Sequence, residues 1–161
     1  MVESMVLFLA AGFGLGWLPW APGTVGSLLG IPLAWWLLGH PLTKQATIIV
    51  LLLIVGVPLC HWASQWLGGG DASQIVADEF LAFPLVTLGL AAARSPWMMG
   101  VAFALYRLFD TTKPPPISHL EAIGGGLGIV LDDVLAALLA WIVLAVGIAL
   151  WRRRQPLHTK G

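Results

Sequence analysis

Gln45-Ala-Thr-Ile-Ile-Val-Leu-Leu-Leu-Ile-Val-Gly-Val-Pro-Leu-Cys-His-Trp-Ala-Ser-Gln-Trp66 decides the fold class. Apart from His61 and a few small polar side chains the stretch is apolar, and it carries no Asp, Glu, Lys or Arg. A helix rises about 1.5 Å per residue and a bilayer's hydrocarbon core is about 30 Å thick, so a run of this length predicts a membrane-spanning helix. Gly68-Gly69-Gly70 follows and ends it, since glycine past the last turn is the usual helix stop.

Upstream, no charge occurs from Ser4 to Thr43. That interval predicts a span from about Val25 to Leu38, kinked at Pro32. Before it, Gly12, Gly14, Gly16, Pro19 and Pro22 break any helix, so this part reads as a membrane-embedded or interfacial loop. Downstream, the apolar runs between Glu79 and Arg94 and between Arg94 and Arg107 are short, and Ser95-Pro96 turns the chain between them. They predict a tight helical hairpin. A last run from Val134 to Trp151 is long enough to cross and meets Arg152-Arg153-Arg154, a cluster that normally stays cytoplasmic. The expected fold is an all-α integral membrane bundle of about four to five membrane segments. Residues 1–151 form its single domain and 152–161 a short basic tail.

Composition points the same way. Hydrophobic residues make up 58% and charged residues 10%, with mean hydropathy +0.89, against about 45 to 50% and 25% in soluble domains. The nine Trp suit a belt at the membrane interfaces. A net charge of zero, without a basic stripe outside the tail, excludes nucleic acid as a partner. A single cysteine, Cys60, excludes disulfides and thiolate zinc sites, and His40, His61, His119 and His158 show no ligand spacing. No basic n-region or cleavage pattern marks a signal peptide, so insertion is expected to use the mature apolar segments.

The acids are few and clustered: Asp71, Asp78, Glu79, Asp110, Glu121, Asp132 and Asp133, with Glu3 apart. A charged side chain at mid-membrane costs about 2.5 to 3.5 kcal/mol on insertion scales, so such residues sit at the water boundary or serve a site. Asp71-Ala-Ser-Gln74 has the spacing of a helix N-cap close to a capping box. Asp78-Glu79 enters an apolar run, either complementing a helix dipole or ligating a cation, and we read ligation. In Tyr106-Arg107-Leu-Phe-Asp110-Thr-Thr-Lys113-Pro-Pro-Pro116, Arg107 and Asp110 are i,i+3 neighbours and Lys113 falls where the prolines end the helix. A surface salt bridge would explain the first pair. A guanidinium fork with an ammonium point charge also suits a phosphate. Ser118-x-x-Glu121 repeats the capping-box spacing, so Glu121 reads as mostly structural. Asp132-Asp133 follows Gly124-Gly125-Gly126-Leu-Gly128 and fits either a solvated interface before the last span or a site for a hard divalent cation such as Mg²⁺, which takes one or two carboxylates together with substrate phosphate; we read the cation. Pro22-Gly23-Thr24-Val-Gly26-Ser27 offers N–H groups and hydroxyls without charge. It fits an anion nest or a helix start capped by Thr24 equally well. Gly12, Gly16, Gly26 and Gly30 have the spacing for close helix contact.

Taken in order, four stretches resemble the phosphatidylglycerophosphatase A family. They are Gly14-Leu-Gly16 with Ala21-Pro-Gly-Thr-Val-Gly-Ser27; Asp71 with Ile75-Val-Ala-Asp78-Glu79; Tyr106 to Ile117; and Gly125-Gly-Leu-Gly-Ile-Val-Leu-Asp-Asp133. The chain departs from the family's usual residues at Ala82 and Ala137, where Gly is common, and at Tyr106, where Phe is. The resemblance implies a Mg²⁺-dependent phosphomonoesterase that converts phosphatidylglycerophosphate to phosphatidylglycerol and phosphate, multi-pass in the bacterial inner membrane with its site toward the cytoplasm.

On the residues and the resemblance together, Asp78, Glu79, Asp132 and Asp133 are the expected metal ligands. Asp110 is a further ligand or the residue that orients Arg107. Arg107 and Lys113 stabilise the phosphate oxygens, Thr24 and Ser27 donate to phosphate, and Asp71 and Glu121 are lesser candidates. The nucleophile is an activated water or an Asp that becomes transiently phosphorylated. If the last run crosses fully, Arg152–Arg154 lie opposite the site. The rival from another class is a small transporter or ion-coupled carrier, which predicts acids dispersed along helix interiors and an internal repeat. A phosphatase of another lipid phosphate is the nearest alternative within the enzymes.

Overall fold

Helices form on the apolar runs and stop at glycine and proline. The protein, seen in a computed structural model that describes residues 1–120 and 123–154, has only helices and turns among those residues. In chain order they are α1 Val2–Ala10, α2 Pro22–Leu37, α3 Leu42–Trp66, α4 Ala77–Ala82, α5 Pro96–Thr112, α6 Ile117–Leu120 and α7 Gly125–Arg154. Short 3₁₀ turns cover Leu15–Trp17, Phe83–Thr87 and Ala91–Arg94. Glu121 and the end of the basic tail lie outside the described residues.

Two helices, α3 and α7, are long and apolar enough to cross a membrane, fewer than the four to five segments expected. The remainder are shorter for identifiable reasons. α2 begins only at Pro22 and α5 only at Pro96, so their 16 and 17 residues run about 24 to 26 Å, short of a hydrocarbon core. The expected hairpin also differs. Its first limb is the six-residue α4, which passes into 3₁₀ turns at Phe83-Pro84 because proline lacks the N–H that would continue the ladder. Conversely α7 runs unbroken from Gly125 through Asp132 and Asp133 to Arg154, well beyond the apolar run that announces it.

α7 is the central element, with α3 packed on one side and α5 on the other. Small residues make this approach possible: Ala136, Ala137 and Ala140 of α7 and Ala102 of α5 are fully buried. The segment 74–83, which carries the first acid pair, is clamped by glycines of the N-terminal region. A Cβ at Gly16 would lie 2.1 Å from the Gln74 carbonyl oxygen, and one at Gly30 would lie 2.6 Å from the Phe83 Cβ. The close contact expected of Gly12, Gly16, Gly26 and Gly30 is therefore made against this segment.

The packing gives the bundle two unlike ends. At one, the starts of α2, α4 and α7 meet the ends of α3 and α5, as Gly23 on Glu79, Gly126 on His61 and Lys113 on Asp132 demonstrate. At the other, Gly39 lies near Arg94, and Lys44 and Arg152–Arg154 are exposed. Asp133 and Arg152 stand about 28 Å apart along α7. The arginines thus lie at the end opposite the acids.

Candidate active site

Asp78 and Glu79 sit in the first turn of α4, which starts after Val76 with no side-chain cap. Asp71 does not cap it: residues 71–76 are non-helical, and the capping box its spacing suggests is not formed. The physical reason is the clamp just described, which holds Gln74 against Gly16, together with the Val76 N–H donating to the Ala10 carbonyl at 2.9 Å. Ser118 likewise lies inside α6 instead of ahead of a helix, and Glu121 is outside the described residues.

Glu79 rests on the first turn of α2. A Cβ at Gly23 would come within 2.1 Å of its Oε1 and one at Gly26 within 2.5 Å of its Oε2, so only glycine lets the carboxylate approach a helix start, where negative charge is favoured. Arg107 on α5 holds the other side. Its Nη1 donates to Glu79 Oε1 at 3.1 Å, to Ser27 Oγ at 3.3 Å, and to Asp110 Oδ2 one turn further on. Ser27 in turn donates to the Gly23 carbonyl at 2.9 Å, which ties α2, α4 and α5 together. Thr24 lies inside α2, whose cap position is Ala21, and does not line the cavity described below.

Lys113 closes α5 in the left-handed conformation and donates to Asp132 Oδ2 at 2.7 Å. Asp132 Oδ1 accepts the backbone N–H of Asp133 at 2.9 Å. By contrast, Asp78 Oδ1, Glu79 Oε2 and Asp133 Oδ1 are buried without a hydrogen-bond partner. The Asp78 and Asp133 carboxyl groups come within hydrogen-bond reach of each other. Burial pushes the Asp78 carboxyl well above the ordinary range, and the neighbouring Glu79 charge adds to it. Burial likewise pushes Glu79 up to about 8, against the pull of Arg107.

These groups surround a cavity of 270 Å³ bounded by Ala21–Gly23, Asp71, Asp78, Glu79, Arg107, Asp110, Asp132 and Asp133. A second cavity of 220 Å³ shares Asp71 and Asp132 with it and contains Lys113 beside Gly124 and Gly125. The two basic residues therefore line adjoining chambers instead of one. Six carboxylates face one guanidinium in the larger chamber, so a phosphate enters it only alongside cations or protons. Sequence reasoning gave no site role to Tyr106, whose hydroxyl donates to the Glu79 carbonyl at 3.4 Å; of the Pro22–Ser27 stretch read as an anion nest or a helix start, Pro22 and Gly23, with Ala21 ahead of them, form a wall of the cavity. The i,i+3 spacing of Gly23 and Gly26 is the signal for that wall.

The residues present fit a divalent cation in one respect and not in another. Among the described residues, no three His, Cys, Asp or Glu side chains converge as a ready-made cage. The unpartnered oxygens of Asp78 and Asp133 do suit Mg²⁺, which keeps several waters and relies on one or two carboxylates plus phosphate.

Fold and site together define an all-helical protein with a guanidinium and buried carboxylates around one small chamber. A family model described as Phosphatidylglycerophosphatase A matches residues 8–148. The chain belongs to that family. It is 41% identical over 138 residues to a phosphatidylglycerophosphatase A of Haemophilus influenzae, covering 84% of each chain. It is 35% identical over 134 residues to that of Escherichia coli, covering 82% of this chain and 77% of the relative. A putative phosphatidylinositol-3-phosphatase of Bacteroides thetaiotaomicron is also 35% identical, over 150 residues, with 87% and 91% covered. No solved structure matches.

Proposed function

We propose that this enzyme is a Mg²⁺-dependent phosphomonoesterase of the bacterial inner membrane that hydrolyses phosphatidylglycerophosphate to phosphatidylglycerol and phosphate. The observation that carries the reading is the pair of buried, unpartnered carboxylate oxygens on Asp78 and Asp133, in a chamber that also holds Arg107. Burying unpaired carboxylates is costly, and a cation brought with substrate phosphate offsets that cost. Asp78 and Asp133 would hold the ion, with Glu79 Oε2 within the same chamber; Asp132 is committed to Lys113. When bound, the ion supplies charge neutralisation to the phosphate and acidifies a coordinated water. Arg107, fixed by Glu79 and Asp110, presents its guanidinium to the phosphate oxygens, and Ser27 steadies it.

The substrate comes from the Escherichia coli and Haemophilus influenzae relatives. The Bacteroides relative's name supports a second reading, a phosphatase of another lipid phosphate. A carrier is disfavoured because the acids collect at one end of the bundle while α5 and α7 meet elsewhere through an apolar core. The catalytic unit is residues 1–151, crossing the membrane by α3 and α7. We keep the site on the cytoplasmic face, where the substrate's synthesis is expected, which makes Arg152–Arg154 an exception to the positive-inside preference. Single cysteines at Ser73 and Arg153, in a Cys60→Ser background, should react with an impermeant thiol reagent from opposite sides, Ser73 only after the cytoplasmic face is opened.

The direct experiment is phosphate release by the purified, detergent-solubilised protein from phosphatidylglycerophosphate, phosphatidylinositol 3-phosphate and phosphatidate, with Mg²⁺ or with EDTA. Release from the first, lost in EDTA, is the expected result. Preference for another lipid moves the protein to the second reading, and no release from any well-folded preparation overturns both.

A further inference from the structure

The proposed reaction leaves one feature of the N-terminal region without a role. Between α1 and α2 the chain reverses through Gly12, Phe13 and Gly14, all with positive φ. The inner side of this loop is fixed. Ala11 and Gly16 are buried, the Ala10 carbonyl accepts the Val76 N–H, and Gly16 lies against the Gln74 carbonyl. Its outer side is a row of large apolar side chains in the open: Phe13 is 59% exposed, Trp17 55%, Leu18 44% and Trp20 82%.

Exposed apolar side chains are expected along helices that cross a bilayer, but these residues belong to neither helix long enough to do so. The loop is also within an interval free of charge from Ser4 to Thr43. Trp20 is followed directly by Ala21, Pro22 and Gly23, which form one wall of the larger cavity. Ala21, in the left-handed conformation at φ 43°, turns the chain from the exposed loop into that wall. An apolar, aromatic rim is thus attached to one wall of the chamber that holds Arg107 and the carboxylates. Contiguous exposed apolar surface marks an interaction site, and Trp favours the level of lipid head groups and glycerol backbones.

We propose that Trp17, Leu18 and Trp20 form the docking rim for the diacylglycerol part of the lipid substrate, holding its glycerol backbone and first methylenes while the phosphate enters the cavity. The inference rests on the lipid-phosphatase reading. The rim gives selectivity for a membrane-borne substrate over a soluble one with the same head group, and it touches none of the reacting groups. Because Gly16 and Ala10 clamp the loop to the segment that bears Asp78, the rim and the carboxylates keep a fixed spacing.

The test compares wild type with a Trp17→Ser/Trp20→Ser variant on two forms of the same phosphatidylglycerophosphate. One carries long chains, presented in mixed micelles at varied mole fraction; the other carries four-carbon chains and is used below its critical micelle concentration. The variant should raise the interfacial KM for the long-chain lipid about tenfold, equivalent to about 1.4 kcal/mol of lost lipid contact, with kcat held within about twofold. Its kcat/KM on the short-chain lipid should not change. Equal losses on both lipids, or no loss on either, overturn the proposal. Should wild type hydrolyse neither lipid, the phosphatase reading fails by itself, and a photoreactive residue at position 20 still judges the rim. Adducts with phospholipid support docking, whereas adducts with a second copy of the chain assign the surface to self-association and overturn it.

Discussion

Two acid pairs, Asp78-Glu79 on α4 and Asp132-Asp133 on α7, divide in the same way. One member of each is engaged by a cation, Glu79 by Arg107 and Asp132 by Lys113. The other, Asp78 or Asp133, turns inward with an oxygen that has no partner, and of the engaged acids Glu79 also keeps one such oxygen, Oε2. Helix geometry explains the split, since successive side chains point about 100° apart and neighbours cannot share a face. Each adjacent pair therefore yields an outer acid that fixes a basic residue and an inner acid kept unsatisfied. The outer acids set the geometry of the cations, and the inner acids, together with Glu79 Oε2, carry the need for a ligand.

Substitutions that treat the two kinds alike should give unlike results. Asp78→Asn or Asp133→Asn is expected to lower phosphate release by about 10³-fold, in the upper range for removing a preorganised electrostatic partner. The same changes should raise the melting temperature in EDTA, because an amide relieves the repulsion of two buried carboxyl groups. Asp132→Asn should behave in the opposite sense. It removes the charge that Lys113 meets at 2.7 Å, lowers the melting temperature, and costs about 10- to 100-fold in activity, the size seen when a supporting partner of a site is lost. Thermal melts and initial rates on the three variants decide the matter: equal behaviour of Asp78→Asn and Asp132→Asn would erase the distinction between inner and outer acids.

Acidity sharpens the comparison without any mutation. Glu79 is held at about 8 against an ordinary 4.5, and Asp78 is raised as well. Between those values the folded chain keeps protons that the unfolded chain has released, so stability from these groups is full below about pH 4.5 and is lost as pH rises through about 8. In EDTA the melting temperature should fall steadily from about pH 5 to about pH 8. Saturating Mg²⁺ should flatten that fall, because a bound cation favours the ionised form. A metal-free profile that rises over the same window would mean that Arg107 outweighs burial at Glu79.

The long elements were legible because they answer to one quantity, apolar length. The run from Gln45 to Trp66 corresponds to α3 almost residue for residue. The α7 start was not legible at Val134, because Asp132 and Asp133 look like a boundary in one dimension, while in three they lie within a helix whose neighbours bury them. Asp71 and Gln74 fail as a capping box for the complementary reason: the local signal is sound, and contact with Gly16 overrides it. Of the site, the residue types and their grouping could be read from spacing. The pairing of Arg107 with Asp110 could also be read, from its i,i+3 spacing, but that Arg107 meets Glu79 and Lys113 meets Asp132 could not, since those partners come from 28 and 19 residues away along the chain.

The smallest expected effect tests how far the outer acid depends on its support. Tyr106 is fully buried and donates its hydroxyl to the Glu79 carbonyl at 3.4 Å. That carbonyl already accepts the Phe83 N–H at the end of α4, so Tyr106→Phe strands no backbone group. The ring keeps its edge-on contacts with Phe83, whose centroid is 5.7 Å away. Such a long bond should contribute no more than about 0.5 kcal/mol, the low end of the range for a net hydrogen bond. Activity should stay within about twofold of wild type, which is within the range open to a change of that size. A loss in kcat above tenfold, with melting temperature unchanged, would instead make Tyr106 a positioning residue for Glu79. The tyrosine would then be part of how this chain aims Arg107, through a contact that phenylalanine cannot make.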